Sequence, residues 1–113
     1  MADFLLEWHC CIDAGRVYLP PQCQQWYSNG VVLRYWPEDK CIGAWPAEEL
    51  DDANKLHLDS RGRLLVPVRL RREAGIEGSA VLTCIKRYMD IFSEKSWRSY
   101  IKSCLSEYEN GVH

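Results

Sequence analysis

Several things this chain lacks narrow its chemistry. It holds six cysteines, yet none forms a Cys-x-x-Cys pair and no histidine–cysteine cluster has zinc-ligand spacing. A zinc module and a thioredoxin-like motif are therefore excluded. A glycine-rich phosphate loop is absent. His9, His57 and His113 share no motif, and neither a serine–histidine nor a cysteine–histidine arrangement stands out. No enzymatic activity, cofactor or metal is expected. His9 and His57 fall in predicted strands, where a structural histidine is the common case. No apolar run approaches the roughly 20 residues that span a membrane. Met1 to Glu7 has only three consecutive apolar residues and two acids, unlike a secretory signal. The expectation is a cytoplasmic protein with reduced thiols, most of them small core residues. The vicinal pair Cys10-Cys11 is the one with a redox alternative.

Positive charge is scarce in the first half. Residues 1–54 carry three basic residues (Arg16, Arg34, Lys40) against nine acids, whereas residues 55–113 carry eleven against seven. Residues 55–72 alone hold six basic residues and a single acid, Asp59. Concentrated positive charge on an otherwise acidic chain points to an anionic partner, the alternative being a solvated helix face. With 113 residues, 47% hydrophobic and 27% charged, the chain has the size and composition of one compact domain, 1–113, with a real core.

A pattern occurs twice. Ile12-Asp13-Ala14-Gly15-Arg16-Val17-Tyr18-Leu19-Pro20 parallels Leu58-Asp59-Ser60-Arg61-Gly62-Arg63-Leu64-Leu65-Val66-Pro67, the second with one extra spacer residue. Val31–Trp36 then parallels Ala80–Ile85. A polar turn follows each, Pro37-Glu38-Asp39 or Lys86-Arg87, and then a second short apolar run, Cys41-Ile42 or Met89–Phe92. Two pseudo-repeats are expected, 8–52 and 55–105.

In the second half, Leu56–Leu58 reads as a strand ending in Asp59. Asp59 and Gly62 are turn formers, and Leu64–Val66 is a buried strand. Pro67 suits the first position of a short helix that Gly75 terminates. Leu70 and Ala74 share its inward stripe, so Arg69, Arg71 and Arg72 are expected to face outward, close to Arg61 and Arg63. A hairpin spans Ala80–Phe92, and Ser93 caps a final helix. Trp97, Tyr100, Ile101, Cys104, Leu105 and Tyr108 form an apolar stripe on that helix, expected to pack on its own domain or on a neighbouring subunit. In the first half, Pro46 begins a shorter acidic helix carrying Glu48, Glu49, Asp51 and Asp52, whose carboxylates read as a solvated face.

The run Asp59-Ser-Arg-Gly-Arg63-Leu-Leu-Val-Pro67-Val-Arg-Leu-Arg-Arg72-Glu-Ala-Gly75-Ile76 resembles the core of the AbrB-like (SpoVT-AbrB) regulators. Two copies in one chain resemble the MraZ family of bacterial regulators. Asp90-Ile-Phe-Ser-Glu-Lys-Ser-Trp97 and Ala44-Trp45-Pro46-Ala47-Glu48-Glu49-Leu50 look like that family's strand-to-helix passages. The resemblance implies a mainly β fold with short helices, a pseudo-two-fold swapped-hairpin β-barrel closed by two tandem copies, and assembly into dimers or rings. It also implies a nucleoid-associated transcription regulator that binds double-stranded promoter DNA. The implied contacts are Arg61, Arg63, Arg69, Arg71, Arg72 and Arg16. Asp59, Gly62, Asp13 and Gly15 shape the loops, Asp59 either orienting Arg63 or fixing its turn. The first loop is one residue short, and Gln24 and Gln25 stand where the second half has Arg71 and Arg72, so the second copy is expected to carry the DNA contacts.

The rival reading is an antitoxin-like or structural oligomeric module that binds a protein through the C-terminal helix. The ordered look of that helix weighs against a disordered antitoxin tail. Five tryptophans, Trp8, Trp26, Trp36, Trp45 and Trp97, favour a homo-oligomer.

Overall fold

The computed structural model describes residues 5–50, 54–85 and 88–111. Asp51 and Asp52 of the expected acidic helix, the Lys86-Arg87 turn and His113 lie outside them, as does the side chain of Tyr108. The chain runs β1 (Leu5–Cys11), β2 (Arg16–Tyr18), α1 (Pro21–Gln24), β3 (Val31–Trp36), β4 (Cys41–Pro46), β5 (Arg63–Leu65), α2 (Val68–Ala74), β6 (Ser79–Ile85), β7 (Tyr88–Phe92) and α3 (Glu94–Gly111). Single 3-10 turns follow α1 (Gln25–Tyr27) and β4 (Ala47–Glu49).

The strands form two antiparallel sheets. One has five strands in the order β1-β6-β7-β4-β3, and β2 and β5 make a separate two-stranded ribbon. The sequential hairpins β3–β4 and β6–β7 are joined side by side through β4 and β7, while β1 pairs with β6 and β2 with β5. Each of these last three pairings links the first half of the chain to the second. Neither half could bury its apolar strands alone.

The core lies between ribbon and sheet. Val17, Leu19, Leu64 and Val66 meet Ile42, Ala44, Leu82, Met89 and Ile91, all 2% exposed or less. Cys23 and Tyr27 add to this core, and the Tyr27 hydroxyl donates to the Ala44 carbonyl at 3.1 Å. The other face of the sheet is covered at one end by α3. There Trp97 packs with Cys41, Val81 and Phe92, its ring 5.1 Å from that of Phe92. With both faces covered, Ala80-Val81-Leu82 is buried without a break, which is why that strand reads as continuously apolar.

Four expectations are corrected. The described strands are open sheets, and no closed barrel forms among the described residues. The expected strand Leu56–Leu58 is a single bridge, Leu56 to Val31, with both backbone hydrogen bonds at 2.8 Å. Continuing that register would set Leu58 against Asn29, which lies in the turn before β3. The prolines Pro67 and Pro46 sit one residue outside their helices, with ψ of 143° and 135°. The expected helix after Pro46 is only a 3-10 turn, because Leu50 returns to extended backbone. Finally, among the described side chains of the apolar stripe on α3, Trp97 is the buried one. Tyr100 leans on Phe92 at 5.4 Å, but Ile101, Cys104 and Leu105 are exposed. At 1.5 Å per residue the 18-residue helix outruns the sheet end it packs on.

Caps follow the sequence closely. The Ser93 hydroxyl accepts the Ser96 N–H at 3.0 Å. Gly75, at φ 69°, closes α2 with the pair Ile76 N–H to Arg71 carbonyl and Gly75 N–H to Arg72 carbonyl, a Schellman motif.

Leu64 and Leu65 are chain neighbours on opposite faces, 1% and 49% exposed. Leu64→Ala is expected to destabilise the fold by about 2–5 kcal/mol, and Leu65→Ala by no more than about 0.5 kcal/mol. Urea unfolding of the two variants checks this; equal losses would contradict the assigned faces.

Candidate nucleic-acid interface

The β2–β5 ribbon pairs Arg16 with Leu65, Val17 with Leu64, and Tyr18 with Arg63. Side chains alternate across a strand. With Val17 and Leu64 buried, Arg16, Tyr18, Arg63 and Leu65 all belong to the outward face.

The two turns feeding the ribbon differ by one residue, and this sets their geometry. Asp13 to Arg16 is a two-residue turn, with Ala14 at φ 53° and Gly15 at φ 78° and reciprocal backbone hydrogen bonds between Asp13 and Arg16. That is a type I′ turn, and it forces a non-glycine residue into left-handed backbone. The extra residue in the second turn allows a type I turn closed by Gly62 at φ 77°: the Gly62 N–H donates to the Asp59 carbonyl and the Asp59 N–H to the Arg63 carbonyl. Only Gly62 then needs positive φ. A Cβ on it would also run into the side-chain amide of Gln24.

The longer turn gives Asp59 both of its candidate roles. One carboxylate oxygen accepts the Arg61 and Arg63 backbone N–H groups, each at 2.9 Å, and so fixes the turn. The other accepts the Arg63 Nε–H at 2.7 Å and so orients the guanidinium. The Arg63 backbone N–H foremost, then its side chain and the Arg61 N–H, hold the Asp59 carboxyl below its ordinary value. The same side-chain hydrogen bond raises the Arg63 pKa. The guanidinium also lies 5.7 Å from the centre of the Tyr18 ring, a cation–π contact. At the other turn, among the described residues, no ion pair holds Arg16.

The expectation of three outward guanidinium groups beside Arg61 and Arg63 is corrected in two respects. Arg71 is half-buried: its Nε–H donates to the Val66 carbonyl at 2.9 Å, and its guanidinium approaches within 3.0 Å of where a Gly15 Cβ would stand. Its neighbours Arg69 and Arg72 are exposed, Arg69 weakly paired with Glu73 at 3.5 Å. Moreover, α2 leaves the ribbon at the Leu65 end, so it abuts the turn Asp13–Arg16. Arg61 and Arg63 stand at the opposite end, beside α1. The reason is the antiparallel pairing, which sets the start of each strand against the end of the other.

Two features escaped the sequence reading. Gln24 does at Gly62 what Arg71 does at Gly15: its side-chain N–H donates to the Leu19 carbonyl at 3.0 Å while its amide covers the glycine. The signal was there, since each residue follows its repeat's proline by four positions. Tyr18 as the platform for Arg63 was invisible, because cross-strand register is not written in either repeat alone.

Among the described residues, the buried thiols form no competing site. Burial pushes the Cys10 thiol up to about 11, with Cys11 adding to the shift, so Cys10 is not an activated thiolate. Cys23 and Cys84, in sulfur contact at 3.3 Å in the core, are raised by burial as well. Among the described residues no three histidine, cysteine or carboxylate groups converge as metal ligands, and no helix is long and apolar enough to cross a membrane.

Because the folded pKa of Asp59 lies below the unfolded value, its contribution to stability is present above the ordinary carboxylate range and lost as pH falls through it. Asp59→Asn is therefore expected to be less stable than the parent at pH 7, with the gap shrinking below about pH 4. Thermal unfolding at pH 7 and pH 3 reads this directly; a gap of equal size at both would assign Asp59 a role independent of its charge.

A family model described as "MraZ protein, putative antitoxin-like" matches residues 49–110, more than half of the chain. The chain is 26% identical to a transcriptional regulator MraZ of Dehalococcoides mccartyi, over 80% of this chain and 82% of that one. It is 27% identical to a protein of the same name from Roseiflexus castenholzii, over 88% and 87%. A third, from Syntrophomonas wolfei, is 33% identical over 82% of this chain and 65% of its own length. Motif, turn chemistry and family match converge, and this chain belongs to the MraZ family.

Proposed function

We propose that this chain is a DNA-binding transcriptional regulator that contacts promoter DNA through the outward face of the β2–β5 ribbon, its two turns and the exposed side of α2. The observation that carries the reading is the pre-set Arg63: a guanidinium fixed by Asp59 on one side and by the Tyr18 ring on the other, aimed outward on an exposed ribbon. Arginine's fork matches phosphate oxygens and the guanine edge with two parallel hydrogen bonds. Ordering it before the ligand arrives lowers the entropy lost on binding. Arg61, Arg69, Arg72 and Arg16 are the further contacts; Arg71 acts through the backbone it holds. The names of the relatives, transcriptional regulators, agree with this reading.

We infer further that residues 8–52 and 55–105 are two copies of a swapped-hairpin unit related by a pseudo-two-fold axis, the arrangement from which the family's barrel is built. Four symmetric features support it. The ribbon register is symmetric about Val17–Leu64, and the β4–β7 register about Gly43–Asp90. The Leu19 N–H donates to the Gly62 carbonyl as the Val66 N–H does to that of Gly15. Gln24 and Arg71 bond equivalent carbonyls. The exposed Ile101 and Leu105 of α3 favour a homo-oligomer, or a protein partner held by that helix. A ring would multiply weak single-chain contacts through effective concentration.

Arg63→Ala is expected to abolish preferential retention of promoter DNA from the chain's own upstream region while leaving the circular dichroism spectrum unchanged. Arg16→Ala is expected to weaken binding much less, lowering the log–log salt slope by about 0.9 if it contacts one phosphate. Gel shifts across a salt series test both; unchanged binding by Arg63→Ala would overturn the reading.

A further inference from the structure

We propose that the ribbon reads thymine through its methyl group, with Leu65 and Tyr18 as the apolar contacts; the proposal rests on the DNA-binding reading above. Two large apolar side chains stand half exposed in the middle of the arginine face. Leu65 is 49% exposed and Tyr18 46%. They belong to the same outward surface as Arg16 and Arg63, and the register sets them diagonally: Leu65 opposite Arg16, Tyr18 opposite Arg63. An apolar patch rimmed by guanidinium groups suits a polyanion better than a protein core, in which those charges would have to be desolvated.

The major groove of B-DNA admits a two-stranded ribbon, and its floor offers one apolar group, the C5-methyl of thymine, beside the acceptors of guanine that arginine reads. A ribbon with one arginine and one apolar side chain at each end therefore matches two half-sites, each with a guanine next to a thymine. The ends are not equal. Tyr18 already gives its ring face to Arg63 and has only an edge to offer the groove, whereas Leu65 is opposite an arginine that no ion pair holds among the described residues. Leu65 is thus the principal methyl contact and Tyr18 the lesser one.

The test uses the full chain and a duplex enriched by it from a random-sequence pool, synthesised with thymine and again with uracil, which lacks only the methyl. The parent chain is expected to bind the uracil duplex about fourfold more weakly for each buried methyl. Leu65→Ala is expected to lose most of that difference and Tyr18→Ala part of it. Arg16→Ala is expected to bind both duplexes more weakly while keeping their ratio. Equal binding of the two duplexes by the parent chain, or an unchanged ratio in Leu65→Ala, would overturn the inference and leave the DNA-binding reading intact. Failure to enrich any duplex would overturn that reading, and this inference with it.

Discussion

The pairing of Val17 with Leu64 is the contact on which the rest depends. Each of these residues is the middle of a three-residue strand too short to persist alone, and each is buried completely or nearly so. Their inward direction fixes the outward direction of Arg16, Tyr18, Arg63 and Leu65. A one-residue slip would send the guanidinium groups into the core and the apolar pair into water. The core and the exposed arginine face are thus two consequences of one register, and hydrophobic burial holds the charges in place.

Around this centre, small differences between the two halves produce unequal ends. One inserted residue turns a type I′ turn into a type I turn with a glycine closure, and only the longer turn brings an Asp carboxylate within reach of two backbone N–H groups and a guanidinium. Arg63 is therefore ordered in advance, whereas among the described residues no ion pair restrains Arg16. Gln24 and Arg71 keep equivalent structural positions although one is neutral and the other charged, because what each position needs is an N–H donor to a ribbon carbonyl. The charge of Arg71 is incidental to that task.

Much of this was legible in the sequence, because local chemistry decided it. Asp59, Gly62, Gly75 and Ser93 each act within a few residues of themselves, and turn and cap rules reach that far. The alternation within Leu64-Leu65 and the unbroken apolar run at Ala80 likewise carried their burial with them. What was not legible depended on distant partners. Leu56–Leu58 has strand composition but runs past the start of β3 after one pair. Arg71 falls on an outward arc of α2 by helical counting, yet a carbonyl and a glycine from elsewhere draw it in. The stripe of α3 predicts an apolar face correctly and says nothing about how much of it the sheet is long enough to cover.

The central claim is that duplex DNA meets the outward ribbon face. Amide chemical-shift mapping of the labelled chain, titrated with duplex DNA at low and then moderate salt, tests it most directly. The account predicts that the largest changes fall on Gly15, Arg16, Tyr18, Arg61 to Leu65 and the start of α2, and fade as salt rises. Changes confined to α3, with the ribbon silent, would contradict it.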